Sequence, residues 1–336
     1  MKDLSTKEHL FLSALEKAHQ EGMVNEKHFH ILRHFYFEYK KAAKGASLEE
    51  VLFIFCTLVD LIVKEAREPY SFPPYHKMIT SPFDYHAFGI RFLLPLLDFT
   101  SSQVFGWENV EKIANYLKRK ENVVLFANHQ TETDPQVIEV LLKEKYPDLG
   151  KKMIFVAGER VLTDPAAIPF SLGRNLLCIY SKKYIDFPPD KKMQKQLHNQ
   201  KTMRLMGTLL NEGRKIIYVA PSGGRDRKDA FGKVNIAPFD PQSIEMFYLI
   251  ARQAEKKTHF FPLSLKSYDL LPPPEGIQKE IGESRYANYS PASLFFGKEI
   301  SMEAFPGVEL LEKKEKKRKR TEYIFALVQQ GYSQLS

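Results

Sequence analysis

The chain has 336 residues, of which 43% are hydrophobic and 27% are charged. This composition is typical of a folded globular protein and argues against a disordered one. The net charge of +8 predicts an anionic partner, without choosing among nucleic acid, a membrane surface, a phosphate substrate and an acidic protein. The two cysteines lie in apolar runs and form no CxxC pair, which argues against a disulfide framework and a cysteine metal site.

No apolar stretch approaches the roughly 18 residues that a membrane-spanning helix needs. The first ten residues, MKDLSTKEHL, contain no signal-peptide core. We therefore expect a soluble protein of a cytoplasmic type, without a signal peptide or a transmembrane segment.

The first 70 residues predict three helices. The first and third begin at capping-box patterns, Ser5 with Glu8 and Ser47 with Glu50, and apolar residues recur at helical spacing in all three. Prolines are then frequent over residues 69–82, as in a linker. We expect a helical bundle domain at residues 1–75 and a second domain at residues 76–336.

The second domain alternates short β-like runs with helical segments. This pattern predicts an α/β domain with a mixed sheet flanked by helices. The predicted strands are residues 122–127, 153–157, 176–180, 216–220 and 259–265, and the predicted helices are residues 135–145, 191–211, 242–256 and 308–330. Ligands in such folds bind at the loops that leave the strand ends, so we examine those loops for a site.

The loop after the first predicted strand places His129 and Asp134 five residues apart. A carboxylate bonded to one imidazole nitrogen leaves the other free to take a proton, here from a substrate hydroxyl, because no serine or cysteine nucleophile accompanies the pair. A structural alternative is that Asp134 caps a helix that begins at Pro135. A metal site of His129, Glu132 and Asp134 is disfavoured, since no second histidine completes it.

Cations occupy three further loops, each of which follows a predicted strand: Arg160, Lys182 with Lys183, and Arg225 with Arg227. Arginine can donate to two oxygens of one phosphate, and the glycine pair before Arg225 lets the backbone approach a ligand closely. Considered one loop at a time, these residues also fit plain surface charge. Together with the histidine, they predict one pocket with a base and several phosphate-binding cations.

The string NHQTETDP at residues 128–135 resembles the His-x4-Asp block of the glycerolipid acyltransferases, in the form of the soluble plastid glycerol-3-phosphate 1-O-acyltransferases. The likeness covers roughly residues 80–275. Other strings that match in the same order include GERV at 158–161, GRNL at 173–176, YSKK at 180–183 and APSGGRDR at 220–227. The resemblance implies a helical N-terminal domain, commonly a four-helix bundle, ahead of a larger α/β domain.

The same resemblance implies transfer of a fatty acyl group from a thioester, on acyl carrier protein or coenzyme A, to the sn-1 hydroxyl of glycerol 3-phosphate. This is the first step of phospholipid synthesis, and it implies no cofactor, no metal and a cytoplasmic or plastid-stroma-like compartment. By motif, His129 is the general base and Asp134 its orienting partner. The implied phosphate-binding residues are Lys183, Arg225 and Arg227, with Arg160, Lys182 and Tyr184 as additional candidates. Tyr184 is a departure, because plastid members usually have histidine there.

Two alternatives stay open. A related acyltransferase that acylates 1-acylglycerol 3-phosphate would usually carry membrane-spanning segments, which this sequence lacks. A nucleic-acid-binding protein has its best support in the basic run at residues 312–320, although most such runs are solvated helix faces. We therefore expect no nucleic-acid partner.

The positive charge is concentrated in residues 312–320 and 182–204. Because acyl carrier proteins are typically acidic, the second segment predicts a carrier docking surface, with Lys191, Lys192 and Lys195 among its charges. A peripheral membrane contact is compatible with the same charge.

Overall fold

The computed structural model describes residues 5–181, 185–274, 282–308 and 312–335. The α-helices in these ranges are α1 Thr6–Gln20, α2 Glu26–Ala42, α3 Leu48–Arg67, α4 Tyr85–Leu93, α5 Trp107–Lys118, α6 Asp134–Leu142, α7 Pro147–Lys152, α8 Glu159–Thr163, α9 Ile168–Leu172, α10 Lys192–Glu212, α11 Pro241–Gln253 and α12 Lys313–Ser333. The strands are β1 Tyr75–His76, β2 Gln103–Phe105, β3 Asn122–Ala127, β4 Ile154–Gly158, β5 Asn175–Ile179, β6 Ile216–Val219, β7 Arg227–Lys228, β8 Val234–Asn235, β9 Thr258–Lys266 and β10 Ser293–Phe296.

Eight of these strands form one mixed sheet in the order β1-β5-β4-β6-β3-β9-β10-β2. The five central strands, β5, β4, β6, β3 and β9, are parallel to one another. β1 and β10 run antiparallel to β5 and β9, and β2 runs parallel to β10. The predicted α/β class with a mixed sheet is therefore confirmed.

Helices cover both faces of the sheet, and the alternation of side chains along β3 explains how. Val123 and Leu125 pack on one face with apolar residues of α5 and α6. Val124 and Phe126 pack on the other face with apolar residues of α10, α11 and α12. All six residues of β3 are buried, as expected for a strand covered on both sides. The loops after the parallel strands therefore open at one edge of the sheet.

The N-terminal helices form as predicted, with Ser5 and Ser47 accepting hydrogen bonds from the first turns of α1 and α3. Their apolar faces meet in a core that also contains Phe88 and Phe92 of α4. The hydroxyl of Tyr39 donates to the backbone carbonyl of Phe92 at 2.6 Å. Because α4 follows residue 75 and shares this core, the division into domains at residues 75 and 76 stays a prediction.

The basic run lies at the start of α12, and part of its charge is paired within the chain. Arg320 is buried and donates to the Glu245 carboxylate at 2.5 Å and to the Met302 carbonyl at 2.6 Å. Arg318 donates to Glu322 at 2.5 Å. None of the described helices is both long enough and apolar enough to cross a membrane.

Candidate active site

The structure brings His129 and Asp134 together in the loop between β3 and α6. Nδ1 of His129 lies 2.8 Å from Oδ2 of Asp134. The Asp134 side chain is buried, whereas 29% of the His129 side chain is exposed. Because an ionised carboxylate only accepts hydrogen bonds, Nδ1 carries the ring proton when the histidine is neutral, and Nε2 is left as a proton acceptor.

Helix capping does not explain the orientation of the Asp134 carboxylate. The N-cap position of α6 belongs to Thr133, and Asp134 is the first helical residue, followed by Pro135. The Asp134 carboxylate turns back into the preceding loop, where it accepts the backbone N–H groups of Gln130 at 2.8 Å and Thr131 at 3.2 Å. The loop therefore wraps around the carboxylate, which fixes the position of the histidine.

Asp134 remains ionised although it is fully buried. Burial alone would raise its pKa, but hydrogen bonds from His129, Ser267 and the Gln130 backbone outweigh burial and hold the pKa below its ordinary value. The Ser267 hydroxyl, which lies just after β9, donates to Oδ1 at 2.6 Å. An ionised Asp134 can stabilise a positively charged imidazole ring.

Asn128 joins the loop of His129 to both neighbouring strands. Its side-chain amide donates to Asp226, after β6, at 2.8 Å and to the Leu265 carbonyl of β9 at 2.9 Å. Its side-chain oxygen Oδ1 accepts a hydrogen bond from the Leu265 N–H at 2.7 Å. The Tyr218 hydroxyl donates to the Asn128 backbone carbonyl at 2.6 Å. The histidine is thus held on a loop that is fixed from two sides.

Gln130 repeats this connection on the other side of His129. Its side-chain oxygen Oε1 accepts hydrogen bonds from the N–H groups of Ser267 at 2.7 Å and Tyr268 at 2.9 Å. Its amide donates to Asp226 at 3.1 Å. The backbone N–H of Asp226 donates to the His129 carbonyl at 2.7 Å. The β6 loop, which carries the arginines, is therefore bonded directly to the histidine.

The structure also gathers Arg160, Arg225 and Arg227 at this edge of the sheet. Burial lowers the pKa of Arg227, and Arg225 and Arg160 lower it further, while Glu283 opposes the change. Glu283 forms ion pairs with both Arg160 and Arg225. The predicted cations of the β4 and β6 loops thus lie in one charged cluster.

A second buried arginine network supports this cluster. Arg285 donates to Glu132 at 3.1 Å and to Asp164 at 3.1 Å. Nη1 of Arg225 lies 3.9 Å from Glu132. Burial opposes the charge of Arg285, but Glu132 and Asp164 outweigh it and raise its pKa. Glu132, three residues after the histidine, therefore helps to place the arginines.

Three candidate phosphate-binding residues, Lys182, Lys183 and Tyr184, lie outside the described residues. Lys195 of the predicted docking segment is buried, and its ammonium group binds Glu159 at 2.9 Å and the Phe187 carbonyl at 2.6 Å. Lys195 therefore does not face solvent as a docking charge.

Sequence reasoning missed several residues that build the site: Asn128, Gln130, Asp226, Ser267, Glu283 and Arg285. Asn128 and Gln130 flank the histidine in the motif, which is a signal that they face the neighbouring strands. Ser267 could have been noticed because it follows the predicted strand at residues 259–265. Glu283 and Arg285 lie in a stretch with no strand or helix pattern, so the sequence offered no signal for them.

Residues 106–266 match the family model described as Acyltransferase, a range that contains both the His–Asp pair and the arginine loop. Residues 106–266 therefore form an acyltransferase-family domain.

The relatives that the chain resembles include plant proteins named chloroplastic glycerol-3-phosphate acyltransferases. The Arabidopsis thaliana protein is 36% identical over 295 residues, 86% of this chain and 64% of that protein. The Cucurbita moschata protein ATS12 is 41% identical over 256 residues, 76% of this chain and 55% of that protein. The Spinacia oleracea protein is 39% identical over 242 residues, 72% of this chain and 51% of that protein. The chain thus spans between one half and two thirds of the length of these relatives.

Proposed function

We propose that this chain transfers a fatty acyl group from an acyl thioester to the sn-1 hydroxyl of glycerol 3-phosphate, giving 1-acylglycerol 3-phosphate. The observation that carries this proposal is the bond between His129 and the buried, ionised Asp134, beside a loop that holds Arg225 and Arg227. The arrangement offers a base to a hydroxyl and guanidinium groups to a phosphate. Glycerol 3-phosphate carries both groups, and the names of the relatives support the same acceptor.

In the proposed reaction, Nε2 of His129 takes the proton of the sn-1 hydroxyl as its oxygen attacks the thioester carbonyl carbon. The new C–O bond forms, the C–S bond breaks, and His129 returns the proton to the departing sulfur. Asp134 stabilises the imidazolium between the two proton transfers. A thioester is already an activated acyl donor, so no covalent acyl-enzyme is required, and the base contributes about 10²–10⁴-fold.

The arginines hold the other end of the acceptor. A fixed phosphate places the hydroxyl against the base and removes the entropic cost of bringing the two together. Arg225 and Arg227 flank Asp226, whose backbone is bonded to His129, so the phosphate site and the base form one unit. The role of Lys183, with Lys182 and Tyr184, is proposed from the motif alone.

Arg225→Ala should raise the KM for glycerol 3-phosphate about 10–100-fold, with a smaller change in kcat, because a charge-assisted hydrogen bond to the phosphate is lost. Steady-state kinetics at varied glycerol 3-phosphate measure this effect. Arg252→Ala is a suitable control, since it removes a 65% exposed arginine of α11. An unchanged KM in Arg225→Ala would place the phosphate elsewhere.

The experiment that tests the proposal is a transfer assay in which glycerol 3-phosphate and 1-acylglycerol 3-phosphate compete as acceptors. Acylation of glycerol 3-phosphate supports the proposal. Preference for the 1-acyl form would favour the related acyltransferase instead. Tight, salt-sensitive DNA binding in a gel-shift assay would favour the nucleic-acid alternative.

We propose that the acyl donor is bound to an acidic carrier protein that docks near the start of α10. Lys191 and Lys192 are exposed there, and Lys201 is exposed further along the helix, whereas Lys195 is buried. The surface follows β5 and therefore lies at the same sheet edge as the site. Coenzyme A is the alternative donor, and it carries far less negative surface for such a contact.

Reversing the charge at Lys191 and Lys192 should raise the KM for an acyl carrier protein about tenfold and weaken its salt dependence, because opposite charges mainly speed encounter. The control variant reverses Lys314 and Lys316, which changes the net charge equally but lies in the basic run of α12. Acyl-coenzyme A kinetics should change little in either variant. If the two charge-reversal variants changed the KM for the acyl carrier protein equally, docking at α10 would be excluded.

A peripheral membrane contact is proposed at the β7–β8 hairpin. Its tip residue Phe231 is 95% exposed, between the exposed Lys228 and Lys233, and the hairpin begins at Arg227 of the site. An aromatic side chain beside lysines suits an anionic lipid surface, and the proposed product carries an acyl chain.

Phe231→Ser should reduce binding to anionic lipid vesicles about tenfold in a sedimentation assay. Leu10→Ser removes another exposed apolar side chain, far along the chain on α1, and should leave vesicle binding unchanged. Equal binding by both variants and the unmodified chain would exclude the hairpin as the contact.

A further inference from the structure

The side chain of Glu283 occupies an unusual place among the arginines. Its Oε1 bonds to Nη1 of Arg160 and its Oε2 to Nη2 of Arg225, so a single carboxylate joins the loops after β4 and β6. Only 6% of the Glu283 side chain is exposed. The carboxylate therefore sits between two guanidinium groups that are both candidates for binding the substrate phosphate.

Two guanidinium groups around one anion form a pattern that fits phosphate as well as carboxylate. Two donors beside Glu283 remain unused: Nη2 of Arg160 and Nε of Arg227 are buried and have no hydrogen-bond partner among the described residues. A carboxylate has only two oxygens, whereas a phosphate monoester has three terminal oxygens. The cluster thus contains buried donors that Glu283 leaves unsatisfied.

Among the described residues, the cavity beside Arg225 is too small for a phosphate while Glu283 is in place. The cavity beside Arg225, which Glu132, Glu283 and Arg285 help to line, has a volume of about 20 Å³, enough for roughly one water molecule. A phosphate bound to Arg225 would also lie next to the Glu283 carboxylate, and the two negative charges would repel each other.

The backbone of Glu283 is held independently of its carboxylate. Arg285 donates to the Glu283 carbonyl at 3.3 Å and is itself fixed by Glu132 and Asp164. The Glu283 side chain can therefore leave the arginines by rotation about its own bonds. Arg225 then keeps Glu132 at 3.9 Å, so its guanidinium group stays in position.

We propose that Glu283 is an internal competitor of the substrate phosphate, and this rests on the proposed function. In the free protein its carboxylate neutralises Arg160 and Arg225, and a doubly charged phosphate monoester displaces it. Anions with a single charge gain too little from the arginines to do so. Glu283 thereby determines selectivity for the charge of the acceptor.

The test is direct binding by calorimetry of glycerol 3-phosphate, inorganic phosphate and acetate to the unmodified chain and to Glu283→Gln, which keeps the shape and removes the charge. If Glu283 holds the arginines in about nine of ten molecules, its removal should strengthen phosphate and glycerol 3-phosphate binding about tenfold. Acetate binding should become measurable only in the variant. Glu303→Gln is the control, because Glu303 pairs with Arg252 away from the site.

Weaker or unchanged binding of both phosphates by Glu283→Gln would overturn the inference, since Glu283 would then only position the arginines or do nothing. Glu283→Ala gives the same answer if the glutamine variant does not fold. Binding of inorganic phosphate without glycerol 3-phosphate would contradict the proposed acceptor, and the phosphate result would still decide the role of Glu283. If no variant bound inorganic phosphate or glycerol 3-phosphate, both the role of Glu283 and the proposed acceptor would be overturned.

Discussion

His129→Ala should lower kcat at least about 10²-fold, because the only group proposed to accept the proton of the substrate hydroxyl is removed. The KM for glycerol 3-phosphate should change little, since Arg225 and Arg227 do not depend on the imidazole ring. The loop should also persist: without the ring, Asp134 still accepts the Gln130 and Thr131 N–H groups. Initial rates at saturating substrate measure the effect.

His30→Ala is the matched control, because His30 is an exposed histidine of α2 and its loss should leave the rate unchanged. Thermal melting of both variants separates loss of chemistry from loss of fold. Near-normal turnover by His129→Ala would remove the general-base assignment.

Asp134→Asn should lower kcat about 10²–10⁴-fold, although the histidine remains. The carboxylate accepts from His129, Gln130, Thr131 and Ser267, and an amide can meet only part of this set, since its NH2 group donates. If the amide nitrogen faces His129, Nδ1 must become the acceptor, and the proton moves to Nε2. The histidine would then carry the wrong tautomer and could not act as a base.

A double variant distinguishes this mechanism from a general loss of structure. Residues that act as a unit are strongly non-additive, so His129→Ala with Asp134→Asn should be about as slow as His129→Ala alone. If the rate loss of the double variant equalled the product of the two single losses, Asp134 would act on the reaction independently of His129.

The central strands were the best-predicted part of the fold. The prediction for β3 coincides with the observed Asn122–Ala127, and β4, β5, β6 and β9 agree within one residue at each end. These strands are buried on both faces, so burial imposes a continuous apolar run that is visible in the sequence.

The short strands could not be predicted. β1, β7 and β8 have two residues each, which is too few to show a period. β2 has three residues and β10 has four. β10 is held by its pairing with β9, and β2 by its pairing with β10. Strand order likewise depends on contacts between residues that are distant in the chain, so the local hydrophobic pattern does not predict it.

The same distinction applies to the site. His129 and Asp134 were predictable because the bond between them closes a turn of a few residues, and their spacing is visible in the motif. Ser267 approaches Asp134 from 133 residues away in the chain, and Arg160 meets Glu283 from 123 residues away. Only the folded sheet brings such residues together, so the charge balance of the arginine cluster could not be anticipated.

The most direct test of the central claim is a single-turnover measurement of acyl transfer from acyl carrier protein to labelled glycerol 3-phosphate, with the unmodified chain and His129→Ala side by side. We predict that both bind the labelled acceptor with similar affinity, and that the unmodified chain forms 1-acylglycerol 3-phosphate at least about 10²-fold faster. Equal rates in the two proteins, or an acyl group bound covalently to the protein before transfer, would contradict the account.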